Sequence, residues 1–210
     1  MKIKLTEKSV KLVEEISKAI PTFHHHYHIL FDIADEKFGQ INYLEIGAYA
    51  GASACLMMNR PNTNVISIDI ADPMPKENVI DYIYKNTNTT NKYKYVKGSS
   101  QELTTKAEVM EYLLQQENKS VKVLFIDGDH SYQAVFNDFY MYKDLVEVGG
   151  YIVFDDYCDW EHSPQVRPAV DEIVTLEKEN FEIIGCFENT LGAYPKDLME
   201  GNCFVIKKIK

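Results

Sequence analysis

The chain has 210 residues, 45% hydrophobic and 26% charged, which are globular values with room for one α/β domain of ordinary size. A formal charge of −10 argues against partners bound through their phosphates, because nucleic-acid affinity rests on Lys and Arg neutralising the backbone, and it disfavours anionic membrane surfaces for the same reason. Cys55, Cys158, Cys186 and Cys203 show no CxxC spacing and read as thiols in a reducing compartment; with no apolar leader and no stretch of transmembrane length, the expected location is the cytoplasm.

Thr6 opens an amphipathic helix with apolar positions at Val10, Leu12, Val13 and Ile16, ending near Pro21. A second helical stretch, about residues 22–37, carries His24, His25, His26 and His28. Consecutive helical side chains diverge, so the first three cannot share an ion, whereas His24 and His28 can share a face. The favoured reading is polar positions on a lid helix at a ligand mouth. Ile41 to Ile46 is the first strand and runs straight into GAYAGASACLMM. There Gly47 and Gly51 permit close backbone approach and the helix start offers N–H groups, a cradle for a nucleotide-like ligand. The Gly-x-x-x-Gly spacing departs from GxGxxG and argues against hydride transfer. NVISIDI is a second strand ending in Asp69, about twenty positions beyond the glycine loop and placed to accept from a ribose diol. A helix at about Lys76 to Tyr84 and an Asn/Thr-rich loop follow. The third strand, Tyr93 to Val96, closes in GSSQE, whose Ser99, Ser100 and Gln101 either meet an adenine edge or cap the next helix, Glu102 to Gln116.

The centre of the chain is a repeated pattern. VKVLFIDGDH stops at Asp127, Asp129 and His130, and GGYIVFDDY stops at Asp155 and Asp156; between them a helix is expected over Ala134 to Val148, closed by Gly149-Gly150. In an open parallel sheet, ligands bind beyond the carboxyl ends of the strands, so Asp127, Asp155 and Asp156 should converge at one edge. Converging carboxylates repel, and a hard divalent cation relieves them; the alternative is acids that cap helices or end strands in water. A helix at Val166 to Glu179 and the strands FEIIGCF and NCFVIKKI complete the chain. Roughly six or seven strands alternating with helices make a doubly wound α/β sheet whose last strand pair is antiparallel at an edge.

LEIGAYAGAS, SIDI, KGSSQE, FIDGDHSY and VFDDY, in this order, resemble the successive motifs of class I S-adenosylmethionine-dependent methyltransferases. Among these the chain is similar to the metal-dependent O-methyltransferases, of the catechol type in its first half and of the macrocin and mycinamicin sugar type in DGDH and DD. The likeness runs from about Asn42 to Lys210. It implies a Rossmann-like, mostly parallel seven-stranded sheet with an antiparallel last strand over residues 41–210, preceded by a lid or dimerisation segment, residues 1–40. It implies that Glu45, Gly47, Ala48, Tyr49, Gly51 and Ser53 surround the methionine part of the cofactor, that Asp69 holds the ribose, and that Ser99, Ser100 and Gln101 lie by the adenine. Asp127, beside the cofactor, would join Asp155 and Asp156 on Mg²⁺ or another divalent cation, with His130 as general base. The catechol type has an amide where this chain has Asp156, so that position matches the sugar type.

The chemistry so implied is methylation of a hydroxyl on a small vicinal diol, sugar or catechol-like acceptor, oriented by the ion and deprotonated by a histidine titrating near the working pH. A homodimer formed through the N-terminal helices belongs to the same expectation, with no nucleic acid and no membrane as partner. Two other readings stay open: a metal-free methyltransferase whose acids hold a cationic substrate, and a silent cofactor-binding module that regulates a partner.

Overall fold

The structure, a computed structural model, describes residues 7–19, 27–34, 39–70, 90–187 and 203–210. Seven strands, β1 (Ile41–Ile46), β2 (Thr63–Asp69), β3 (Lys92–Lys97), β4 (Val121–Ile126), β5 (Val146–Phe154), β6 (Phe181–Phe187) and β7 (Cys203–Lys208), form one sheet in the order β3-β2-β1-β4-β5-β7-β6. β1 to β5 pair in parallel, while β7 runs antiparallel between β5 and β6. The mostly parallel sheet with an antiparallel last strand is therefore present, with β6 at the edge. All residues of β1 and β4 are buried, as central strands covered on both faces must be.

Alternation along the strands divides the core in two. Tyr43, Val65, Val123, Phe125, Tyr151, Val153 and Val205 face helices α1 (Glu7–Ala19), α2 (His28–Ile33) and α3 (Ala52–Met58). Leu44, Ile66, Ile68, Leu124, Ile126, Ile152 and Phe154 face α4 (Leu103–Leu114), α5 (Tyr132–Tyr142) and α6 (Val166–Leu176). α1 and α2 contribute Val13, Ile16, Ile29 and Leu30 to the first core. His28 is buried at the start of α2, so it is not a polar position at a mouth; His24, His25 and His26 lie outside the described residues, as do the helix expected at 76–84 and the connection 188–202. Among the described residues, no helix is long and apolar enough to cross a membrane.

One element boundary differs from expectation. The helix predicted to reach Val148 stops at Tyr142, a 3₁₀ turn spans Lys143–Leu145, and Gly149-Gly150 lie inside β5. The β4–β5 register passes from Val121↔Val146 to Val123↔Tyr151, so Glu147–Gly150 bulge opposite Lys122. Gly149 has φ +85°, and a Cβ on Gly150 would stand 2.8 Å from Val146 Cγ1 and 2.9 Å from the Glu147 carbonyl oxygen. The glycines therefore shape a bulge rather than end a helix. Val146 and Val148 extended the helical apolar spacing by coincidence, and periodicity cannot separate a helix end from a strand start that follows at once.

Candidate active site

The sheet order reverses between β1 and β4, and the cleft opens there, beyond the carboxyl ends of the strands. The chain leaves β1 through Gly47, φ +89°, where a Cβ would lie 1.8 Å from the Asp127 carbonyl oxygen. The glycine is thus required for two neighbouring strand ends to lie side by side. Asp127 N donates to Ile46 O at 2.9 Å and Gly47 N to Ile68 O at 2.9 Å. Asp69 Oδ2 accepts from Ala48 N at 2.9 Å and Tyr49 N at 2.8 Å, so this acid fixes the glycine loop as well as facing the cleft. Tyr49, with φ +41°, projects outward, 80% exposed.

Glu45 is buried beneath the loop. Its Oε1 accepts from Ser67 Oγ at 2.5 Å, and its Oε2 accepts from Ser53 Oγ at 2.6 Å and Tyr43 OH at 2.9 Å. Burial raises its carboxyl to about 7 against those three hydroxyls. Glu45 and Ser53, expected around the methionine part of the cofactor, instead tie α3 to β1 and β2. Gly51, φ +78°, caps α3, and neither it nor Ala48 lines the cleft.

The cleft has a volume of about 380 Å³ and is lined by Ile46, Gly47, Tyr49, Ile68, Asp69, Ile70, Gly98, Ser99, Ser100, Gln101, Asp127, Gly128 and Asp129. The loop after β3 is therefore a wall of it. The serines do not cap α4: Glu102 holds that position without a side-chain cap, and Ser99 Oγ accepts from Gln101 N at 3.3 Å. Helix α5 grips the loop instead. Ser100 Oγ donates to Asp138 Oδ1 at 2.6 Å, Tyr142 OH to Ser100 O at 2.9 Å, and Asn137 Nδ2 to Gln101 Oε1 at 3.2 Å.

At the other end of the cleft Asp127, His130 and Asp156 converge, each offering a ligand atom within 4.8 Å of the others. His130 Nδ1 lies 2.7 Å from Ser163 Oγ and 3.3 Å from Asp156 Oδ2, and Nε2 lies 3.6 Å from Asp127 Oδ1. Ser163 Oγ also donates to Asp156 Oδ2 at 3.1 Å. The facing carboxylate of Asp127, with the charges of Asp156 and Asp155, raises His130 to about 9 against partial burial. The surrounding acids favour the imidazolium, so the ring serves as a base once their charge is offset. Two carboxylates and an imidazole are a donor set that suits a divalent ion. Asp155 is buried beside that set; its Oδ1 accepts from Asp156 N at 3.0 Å and lies 3.7 Å from Cys203 Sγ. Asp156 carries φ +56°, a left-handed backbone at a non-glycine residue that aims its carboxylate back toward β4.

Two members of the site were not foreseen. Tyr27 OH donates to Asp127 Oδ2 at 3.1 Å, its ring edge-on to Phe125 at 5.6 Å, and Ser163 bridges His130 and Asp156. Tyr27 is remote in sequence from Asp127, and neither residue sits in a pattern that marks it.

A family model described as "Methyltransferase domain" matches residues 44–157, from β1 to just past Asp156. An uncharacterized protein of Acanthamoeba polyphaga mimivirus is 40% identical over 185 residues, covering 81% of this chain and 79% of its own. Among solved structures, the methyltransferase MycE of the mycinamycin biosynthetic pathway, in complex with Mg, S-adenosylhomocysteine and mycinamycin VI, aligns with a TM-score of 0.61 at 15% identity over 96% of this chain and 54% of MycE. An O-methyltransferase from Bacillus cereus in complex with S-adenosylhomocysteine aligns with a TM-score of 0.59 at 14% identity, over 97% of this chain and 92% of that one. rRNA methylases share the fold as well.

Proposed function

Because the chain belongs to the methyltransferase-domain family and is an S-adenosylmethionine-dependent methyltransferase of class I, we propose that it methylates a hydroxyl of a small diol, sugar or catechol-like molecule with the help of a divalent cation such as Mg²⁺. The observation that carries this reading is the position of Asp127. It lines the cleft and also belongs to the carboxylate–imidazole cluster, so the methyl donor and the acceptor hydroxyl meet at one residue.

Within the cleft, Gly47 and Tyr49 are assigned to the methionine end, Asp69 to the ribose, and Ser99, Ser100 and Gln101 to the adenine. Asp127 and Asp156 are assigned to the cation. A bound divalent cation supplies Lewis acidity that lowers the pKa of an acceptor hydroxyl. Asp155 accepts the backbone N–H of Asp156 and so supports its placement. Ser163 fixes the Nδ1 side of His130; a cation held by Asp127 and Asp156 would offset the acids that favour the imidazolium, and Nε2, on the Asp127 side, would then receive the hydroxyl proton. Tyr27 holds Asp127 through its hydroxyl and makes the start of α2 part of the acceptor end. The acceptor is small rather than a nucleic acid, since the net charge of −10 repels a phosphate backbone.

The test is methyl transfer from S-adenosylmethionine to a panel of diols, catechols and sugars, with Mg²⁺ and with excess chelator. Transfer that depends on the metal supports the reading. Full activity in chelator overturns the metal, and failure of the protein to bind S-adenosylhomocysteine overturns the cofactor site.

A further inference from the structure

Asp138 is an acid buried on α5, 1% exposed, with no part in the chemistry above. Burial raises its carboxyl to about 6, against the hydrogen bond from Ser100. A carboxylate put there is costly unless it is hydrogen-bonded, and the bond it makes is to the cleft: Ser100 Oγ at 2.6 Å. Its other oxygen, Oδ2, lies 3.6 Å from where a Cβ on Gly128 would stand. Ser100 and Gly128 both line the cleft. Asp138 therefore bonds one lining residue and lies close to another, without itself lining the interior. Tyr142, one turn further along α5, holds the Ser100 carbonyl at 2.9 Å, so the Ser100 hydroxyl and main chain are both fixed by one helix.

From this geometry we infer that Asp138 is a positioning residue for the nucleoside end of the cofactor, acting through Ser100 and setting the width of the cleft there. The inference rests on the cofactor site described above and is independent of any metal. Without Asp138, the Ser100 hydroxyl loses its acceptor and rotates freely, and the wall it belongs to is no longer drawn toward Gly128. The methionine end, assigned to Gly47 and Tyr49, is untouched.

The experiment measures binding of S-adenosylhomocysteine and of adenosine by calorimetry for the parent, Asp138→Ala, Asp138→Asn, Ser100→Ala and the double variant Asp138→Ala/Ser100→Ala. Loss of one hydrogen bond to a charged acceptor predicts affinity for S-adenosylhomocysteine about tenfold to thirtyfold weaker in Asp138→Ala. Adenosine should weaken by the same factor, since only the nucleoside end is disturbed. Asp138→Asn keeps an acceptor oxygen for Ser100 and should recover most of the affinity, which loss of general packing would not do. The double variant should bind no worse than Ser100→Ala, because a residue acting through another adds nothing once that one is gone. Additive losses in the double variant overturn the inference. So does a lowered melting temperature in Asp138→Ala with unchanged affinity. Should Asp138→Ala fail to fold, the comparison of Asp138→Asn with the parent decides: affinity near the parent's supports the inference, and a tenfold loss overturns it. A parent that binds neither ligand refutes the cofactor site instead.

Discussion

Replacing Gly47 by alanine tests whether this glycine serves the chain or the ligand. The added Cβ would stand 1.8 Å from the Asp127 carbonyl oxygen, 2.5 Å from its carbon and 3.0 Å from Gly128 Cα. All three are backbone atoms, so no side chain can rotate away, and the ends of β1 and β4 must separate by more than about 1 Å to reach ordinary contact distance. A φ of +89° costs an L-residue about 1–2 kcal/mol. The forced displacement adds about 1–3 kcal/mol, and the strained Asp127 N to Ile46 O bond, 2.9 Å in the parent, about 1 kcal/mol more. Roughly 3–6 kcal/mol is a large part of the stability of a domain, so the urea midpoint of Gly47→Ala should fall by roughly 1–2 M. Binding of S-adenosylhomocysteine should weaken with it, because Gly47, Asp127 and Gly128 all line the cleft. A variant as stable as the parent that has lost only the ligand would refute the reasoning and return the glycine to the ligand.

Three further outcomes follow from other residues. Glu45 has its carboxyl raised to about 7 from 4.5, so its contribution is fully present below pH 4.5 and is lost as pH rises to 7, about 3 kcal/mol over that window; Glu45→Gln should flatten this part of the stability–pH curve, and an unchanged curve would sink the assignment. Asp156→Asn should weaken Mn²⁺ binding at least about tenfold while leaving S-adenosylhomocysteine affinity near the parent value, both read by calorimetry; equal metal affinity would remove Asp156 from the ligand set. Arg60 is fully buried and donates through Nε to Ala34 O and through Nη1 to Pro61 O at 2.8 Å, Thr63 Oγ1 at 3.1 Å and Gly39 O at 3.2 Å. Arg60→Ala should therefore cost about 3 kcal/mol in urea unfolding by removing the donor of the buried Ala34 carbonyl and Thr63 hydroxyl, and Arg60→Lys should not restore it, because an ammonium cannot reach that fan of acceptors.

The sequence by itself determined the strands, the cleft and the acids that border it. β1 (INYLEI) and β4 (VKVLFI) are mostly apolar, as strands covered on both faces are, and each ends at a turn or a carboxylate, so the rule for parallel sheets places Gly47, Asp69 and Asp127 at one edge without coordinates. These are local properties, written in consecutive residues. Tertiary structure alone decided how the side chains are shared. Glu45 looks like a ligand-binding acid until Tyr43, Ser53 and Ser67 close around it, and Gly47 looks like room for a ligand until the Asp127 carbonyl fills that room. Asp155 and Asp156 are indistinguishable as letters, yet the φ of +56° at Asp156 sends one carboxylate toward His130 and leaves the other under β7. Tyr27, Asp138 and Ser163 carry no pattern, because each works on a partner far along the chain that only the packing of helices on the sheet brings within a hydrogen bond.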